Sequence, residues 1–273
     1  MLEIKTVSKG AELVSCKLDG IEKIHDGKSF WNRHAPILFP IVGKLKDNKT
    51  EIDGKIYEMT QHGFARDMDF KSIGENEYVL TSNEETLKKY PFNFELYVSY
   101  EINENKLKTK YKVKNTSNKD MIFALGGHPA FKCEYSNEEY YLEFEKEESD
   151  IKVFQLEDGI ISLNVEPKKY ITGNKLNLSK DTFENDAIIM KNINSDKITL
   201  KRNGEKILTF NFKEFPYLAV WSKQGAPFVC IEPLFNTADK IDGDGIFKNK
   251  ENIITIKENE EFECSYEVEF FSK

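Results

Sequence analysis

Apolar and polar residues alternate along most of this chain, and short polar turns interrupt the alternation. "FELYVSYEINENKLKTKYKVKN" keeps a period of two on both sides of the turn Asn103 to Asn105, which predicts a hairpin with one face buried and one in water. "TEIDGKIYEM" sets Asp53-Gly54 between two β-prone runs, a strong two-residue hairpin signal. "YYLEFE", "DIKVFQ", "KITLKR", "KILTFNF", "LAVWS", "FVCIEP", "NIITIK" and "CSYEVEFF" continue the strand pattern. Only "SNEETLKKYP" reads as a helix, with Ser82 and Glu85 as its capping box and Pro91 as its stop. No Gly/Ser linker, fixed-period repeat or low-complexity block divides the chain. Many antiparallel strands without helical crossovers predict an all-β fold. The expected architecture is a large antiparallel β-sandwich of two stacked sheets with one or two short helices, as a single domain over residues 1–273.

Composition narrows the partners. The chain has 273 residues, enough for a sizeable core, and its 20 Phe and 12 Tyr suit wide buried sheet faces. Its net charge of −8 argues against nucleic acid and against anionic membranes. The four cysteines, Cys16, Cys133, Cys230 and Cys264, lie far apart without C-x-x-C spacing, so they are expected to be reduced thiols. The N-terminus lacks a basic-then-apolar signal, and no apolar run approaches about 18 residues. A soluble cytoplasmic protein is expected, either monomer or homodimer.

Three stretches carry candidate chemistry. In "FALGGHPAF", His128 follows an apolar run and two glycines and precedes Pro129. Gly126 and Gly127 permit backbone angles that other residues resist, and Pro129 fixes φ, so the imidazole is aimed out of a sheet and held there. A core histidine is the ordinary alternative. In "QHGFARDMDF", His62 also precedes a glycine, and Arg66 lies four residues on, beside Asp67 and Asp69. In "PFVCIEPLFN", Glu232 ends an apolar strand between Ile231 and Pro233, a setting that desolvates a carboxyl and raises its pKa toward that of a useful base. Two histidines and a glutamate at strand ends suit sugar acid–base chemistry: opening a hemiacetal needs a base at the anomeric hydroxyl and an acid at the ring oxygen. His62, His128 and Glu232 are also a possible zinc set. Without H-x-H or H-E-x-x-H spacing the metal reading is the weaker, and neither metal nor cofactor is expected.

These stretches together resemble the aldose 1-epimerase (galactose mutarotase) family, and "APILFPIVGKLKD" resembles its LacX-like branch. "FWNRHAPILFPIVGKLKD", "QHGFARDMDF", "GGHPAF", "NDAIIM" and "FVCIEP" occur in the family's order over nearly the whole chain. "GGHPAF" combined with "IEP" is fairly specific, whereas "HGFAR" is shared with related sugar-phosphate epimerases. The resemblance implies a large antiparallel β-sandwich and a small-molecule sugar substrate. It implies His128 as the general acid at the ring oxygen and Glu232 as the general base at the anomeric hydroxyl. His62 is implied to orient the ring oxygen, with Arg66 and Asp186 as contacts to sugar hydroxyls. Where galactose mutarotases carry an Asn-Arg pair, this chain has "GKLKD", in which Lys44 supplies one donor but no arginine fork. Where they carry a glutamine before the glutamate, it has "YLAVWSK", in which Trp221 is a candidate to stack on a sugar face. These departures leave the acid–base pair intact and put galactose itself in question. A cofactor-free mutarotase is the expected function. The alternatives are a hexose-6-phosphate mutarotase with Arg33 and Arg66 on the phosphate, aided by Lys44 and Lys46, and a non-catalytic carbohydrate-binding protein.

Overall fold

The computed structural model describes residues 1–136 and 138–272. Each run read above as a strand contains one, and the two hairpin turns fall where the sequence places them. Lys49–Ile52 pairs with Lys55–Glu58 across Asp53 and Gly54, both at positive φ, the geometry that makes Asp-Gly a favoured hairpin turn. Phe94–Asn103 pairs with Lys106–Asn115 along its whole length. The helix is Glu84–Lys89, and its cap is one residue later than expected. Asn83 accepts from the backbone of Glu85 and Thr86, and Thr86 Oγ1 accepts from Asn83 N–H. The Ser82 hydroxyl is instead engaged with Phe94 N–H and Asn93.

Two large antiparallel sheets dominate. A ten-stranded sheet contains the long hairpin and, beside it, Glu261–Phe270. In an eight-stranded sheet, Ile188–Lys191, Tyr217–Trp221, Phe228–Leu234, Gly126–Gly127 and Ile37–Leu38 are successive neighbours, and Ala130–Lys132 also pairs with Phe228–Leu234. The main core lies between these sheets, where Phe131 packs against Phe210 and Phe270. The alternation of side chains then explains why "FVCIEPL" shows no polar period. Leu218, Val220, Val229 and Ile231 point into the main core. Tyr217, Ala219 and Leu234 belong to a second apolar layer on the opposite face. All seven residues of Phe228–Leu234 are buried, as in a sheet covered on both sides.

The glycines before His128 have a different reason from the one expected. Neither Gly126 nor Gly127 has positive φ. A Cβ on Gly126 would lie 2.7 Å from the Leu234 side chain, and one on Gly127 would lie 2.8 Å from the Tyr266 ring. The requirement is space on both faces of the sheet, not an unusual backbone angle.

Candidate active site

Register brings His128 and Glu232 together. Ala130 is opposite Cys230 and Gly126 is opposite Leu234, which leaves His128 facing Glu232 across the same pair of strands. On the other side of Glu232 the partner is Ala219, too small to cover it. His128 Nε2 and Glu232 Oε1 are 3.2 Å apart, and both side chains are less than a tenth exposed. The chain is pinned around the imidazole: His128 N–H donates to the Pro36 carbonyl at 3.1 Å, and the Pro129 carbonyl accepts from Ile231 N–H at 3.3 Å. Both residues form part of the wall of a cavity of about 450 Å3 on the outer face of the eight-stranded sheet, within the size range of small-molecule sites.

The electrostatics of the pair are set by dryness. Burial pushes Glu232 well above the usual carboxylate range, and the charge of Asp186 adds to the effect. Burial pulls His128 down to about 3, reinforced by the cations of Arg66 and Arg33. Their 3.2 Å contact favours the charged forms and opposes both shifts.

His62 reaches the same cavity from the other wall, its ring 5.5 Å from that of His128 and nearly perpendicular to it. Its φ of 66° lies in the left-handed region, held by a backbone bond to the Gly43 carbonyl at 2.8 Å. Its Nδ1 accepts from Gly43 N–H at 3.1 Å, which fixes the proton of the neutral ring on Nε2. Burial, followed by the charges of His128, Arg66 and Arg33, holds His62 well below its ordinary value, so it is a neutral donor.

Arg66 donates to the Gln61 carbonyl at 2.7 Å, while its buried Nε makes no hydrogen bond and lies 4.0 Å from Asp67 Oδ2. Burial and the neighbouring Arg33 lower its pKa to about 10. Arg33 lines the cavity and donates to Asp67 at 2.8 Å. Asp186 lines it too, and its carboxylate accepts from Ala187 N–H at 2.9 Å. Trp221 is half-buried at the cavity, edge-on to His128 with ring centres 5.8 Å apart.

Lys44 is not brought into the cavity. Its Nζ donates to the Asp158 carbonyl at 2.9 Å, and it borders an adjoining shallow depression. Lys46 is likewise occupied, by the Ile241 carbonyl at 3.0 Å.

Sequence reasoning missed Trp31. Its indole lies 4.9 Å from the His128 ring and 5.6 Å from Trp221, forming an aromatic corner over the pair. His25 Nε2 and the Trp31 carbonyl, 2.9 Å apart, brace the loop that carries it. Trp31 sits in "SFWNRHAP", a loop with no periodicity; two adjacent aromatics, Phe30 and Trp31, outside any strand were the available signal. A donor and an acceptor of protons, side by side in a dry wall beneath aromatic faces, can shuttle a proton between neighbouring oxygens of a polyol.

Comparison with known proteins agrees. The model of the aldose 1-epimerase family matches residues 1–268. Protein LacX of Lactococcus lactis subsp. lactis is 28% identical over 291 residues, spanning 98% of this chain and 96% of that one. A galactose mutarotase-like protein from Lactobacillus casei has a similar structure, with TM-score 0.92 and 33% identity over 99% of this chain and 97% of the other. A galactose mutarotase related enzyme from Lactobacillus acidophilus superposes with TM-score 0.90 and 31% identity, covering 100% of this chain and 95% of its own. With the family matched over nearly its whole length and the fold shared from end to end, this chain belongs to the aldose 1-epimerase family.

Proposed function

We propose that this protein is a cofactor-free mutarotase that interconverts the α and β anomers of an aldose. The observation that carries the reading is the His128–Glu232 contact of 3.2 Å inside the cavity. The anomeric hydroxyl and the ring oxygen are bonded to the same carbon, so the groups serving them must be neighbours. In the working form Glu232 is ionised and His128 protonated. Glu232 takes the proton from the anomeric hydroxyl while His128 gives one to the ring oxygen, and the bond from that oxygen to the anomeric carbon breaks. The free aldehyde turns about its adjacent carbon–carbon bond, and the transfers run in reverse on the other face. Each positioned group contributes about 10²–10⁴-fold. In this reading His62 Nε2–H orients the ring oxygen, Arg66 and Asp186 hold hydroxyls, and the Trp31–Trp221 corner covers a sugar face.

Polarimetry of freshly dissolved α-glucose and α-galactose tests this. Wild type is expected to accelerate mutarotation, and His128→Ala and Glu232→Gln are each expected to lose at least about 100-fold, with effects that do not add. Near-normal turnover in Glu232→Gln rules out the assignment. Sugar binding without turnover in the wild type supports the carbohydrate-binding alternative.

A second reading, a hexose 6-phosphate as substrate, is favoured by one observation. Arg33 and Arg66 both line this cavity, and the buried Nε of Arg66 makes no hydrogen bond, only a 4.0 Å ion pair to Asp67. A higher kcat/KM for glucose 6-phosphate than for glucose, lost in Arg33→Met and Arg66→Met, selects it.

A further inference from the structure

The face of Phe228–Leu234 that presents Glu232 also presents Cys230, two residues earlier on the same side of the strand. Cys230 lies opposite Trp221 on one neighbour and Ala130 on the other. Its position puts it beneath the aromatic corner: it packs with Ala130, Ala226 and Phe228, and Trp31 and Trp221 cover that cluster. A ring nitrogen of His128, the Cys230 sulfur and a Glu232 carboxylate oxygen all lie within 4.8 Å of one another, and all three residues are buried. Two of these donors line the cavity and the third sits behind them.

We propose that His128, Cys230 and Glu232 form a binding site for a single thiophilic divalent cation of the zinc or cadmium class, and that occupancy shuts off the sugar reaction. The inhibition rests on the reading of His128 and Glu232 as the acid–base pair; the binding does not. Zinc takes nitrogen, sulfur and oxygen donors at about 2.0–2.3 Å in tetrahedral array. The three side chains supply one donor of each kind. His128 and Glu232 are already 3.2 Å apart, so closure needs a side-chain shift of about 1 Å at the thiol. The fourth position opens toward the cavity, where a water or a sugar hydroxyl completes the coordination.

The charge balance suits a dry site. The resting cluster of thiol, imidazole and carboxyl has no net charge and carries two protons that a metal can displace, those of the thiol and the carboxyl. The metal displaces both to solvent and leaves a dication with one thiolate and one carboxylate, again with no net charge. Burial therefore does not oppose the exchange as it would oppose a bare ion. The bound metal takes the imidazole lone pair and the carboxylate that ring opening requires. The sequence signal is short, C-x-E on one strand with its third ligand on another, which ligand-spacing patterns do not capture.

The test uses the intact protein, with Cd2+ and Zn2+ as probes. Titration with Cd2+ is expected to raise an ultraviolet sulfur-to-cadmium charge-transfer band that saturates at one equivalent. Zn2+ is expected to abolish mutarotation, with recovery on adding a chelator. Cys230→Val and Cys230→Ser both remove the thiolate, and at least one is expected to fold with wild-type basal rate. Either variant should lack the band and need at least about 100-fold more Zn2+ for half-inhibition. A saturating band that persists in the Cys230 variants overturns the proposal. So does its absence from a wild type whose thiols are shown to be reduced, or equal Zn2+ sensitivity in all three proteins. A Cys230-dependent band in a protein that never accelerates mutarotation keeps the metal site and removes the mutarotase reading instead.

Discussion

A carboxyl and an imidazole 3.2 Å apart in a dry wall share their protons, so the pair titrates as one unit with two apparent pKa values. The proposed reaction needs one proton on the pair: with two there is no base, and with none there is no acid. The rate should therefore trace a bell against pH. The charges around the pair fix how the bell moves. Burial first, then Asp186, raises Glu232; burial first, then Arg66 and Arg33, lowers His128. Removing an anion makes both protons easier to lose, and removing a cation makes both harder to lose. Asp186→Asn should move the kcat–pH bell to lower pH and Arg66→Met to higher pH. Shifts of the same sign in the two variants would contradict the charge assignment. Trp31→Ala should raise KM more than it lowers kcat, because it removes sugar-covering surface and leaves the pair in place. His128, Glu232 and His62 were legible because each stands beside Gly or Pro, and Arg66 because it follows His62 by four residues. Trp31 was not, since a loop residue earns its place through contacts between segments distant in sequence.

At the scale of elements, the position of His128 depends on how closely the Gly126–Gly127 strand fits between its neighbours. The Tyr266 ring and Tyr111 hydroxyl stand where a Gly127 side chain would go. Gly127→Ala should cost about 1–3 kcal/mol in chemical denaturation through overpacking. It should also lower kcat, because the displaced strand carries the imidazole away from Glu232. Wild-type kcat in a measurably destabilised Gly127→Ala would uncouple strand fit from catalysis. The hairpins could be read in sequence because a turn and its flanking strands are local, as with Asp53-Gly54. The role of Gly126 and Gly127 could not, because Leu234 and Tyr266 approach them from remote parts of the chain. The helix cap moved by one residue for a similar reason: Phe94 and Asn93, across the next turn, claim the Ser82 hydroxyl.

At the scale of the whole molecule, a sheet covered on both faces provides the dryness that tunes the site, and that dryness has a consequence for stability. Alternation identified the strands, but the order that lays Gly126–Gly127 between Phe228–Leu234 and Ile37–Leu38 is non-local and invisible to periodicity. Burying His62 in this arrangement, with the charges of His128, Arg66 and Arg33 around it, holds its folded-state pKa well below 6.5. In the unfolded chain the imidazole titrates normally, near ~6.5. Between those two values the unfolded state binds a proton that the folded state does not, so stability rises with pH and falls on acidification. As pH falls below about 6.5 and through this window, this one group should progressively remove stability. His62→Gln has no such proton to gain, and its amide oxygen can replace the Nδ1 acceptor of Gly43 N–H. Whatever constant offset the substitution introduces, the stability difference between His62→Gln and wild type should therefore grow in favour of the variant as pH falls through this window. Urea denaturation at several pH values measures it. Parallel stability curves would mean that His62 is solvated or paired in the folded protein, and that the cavity wall is wetter than its burial implies.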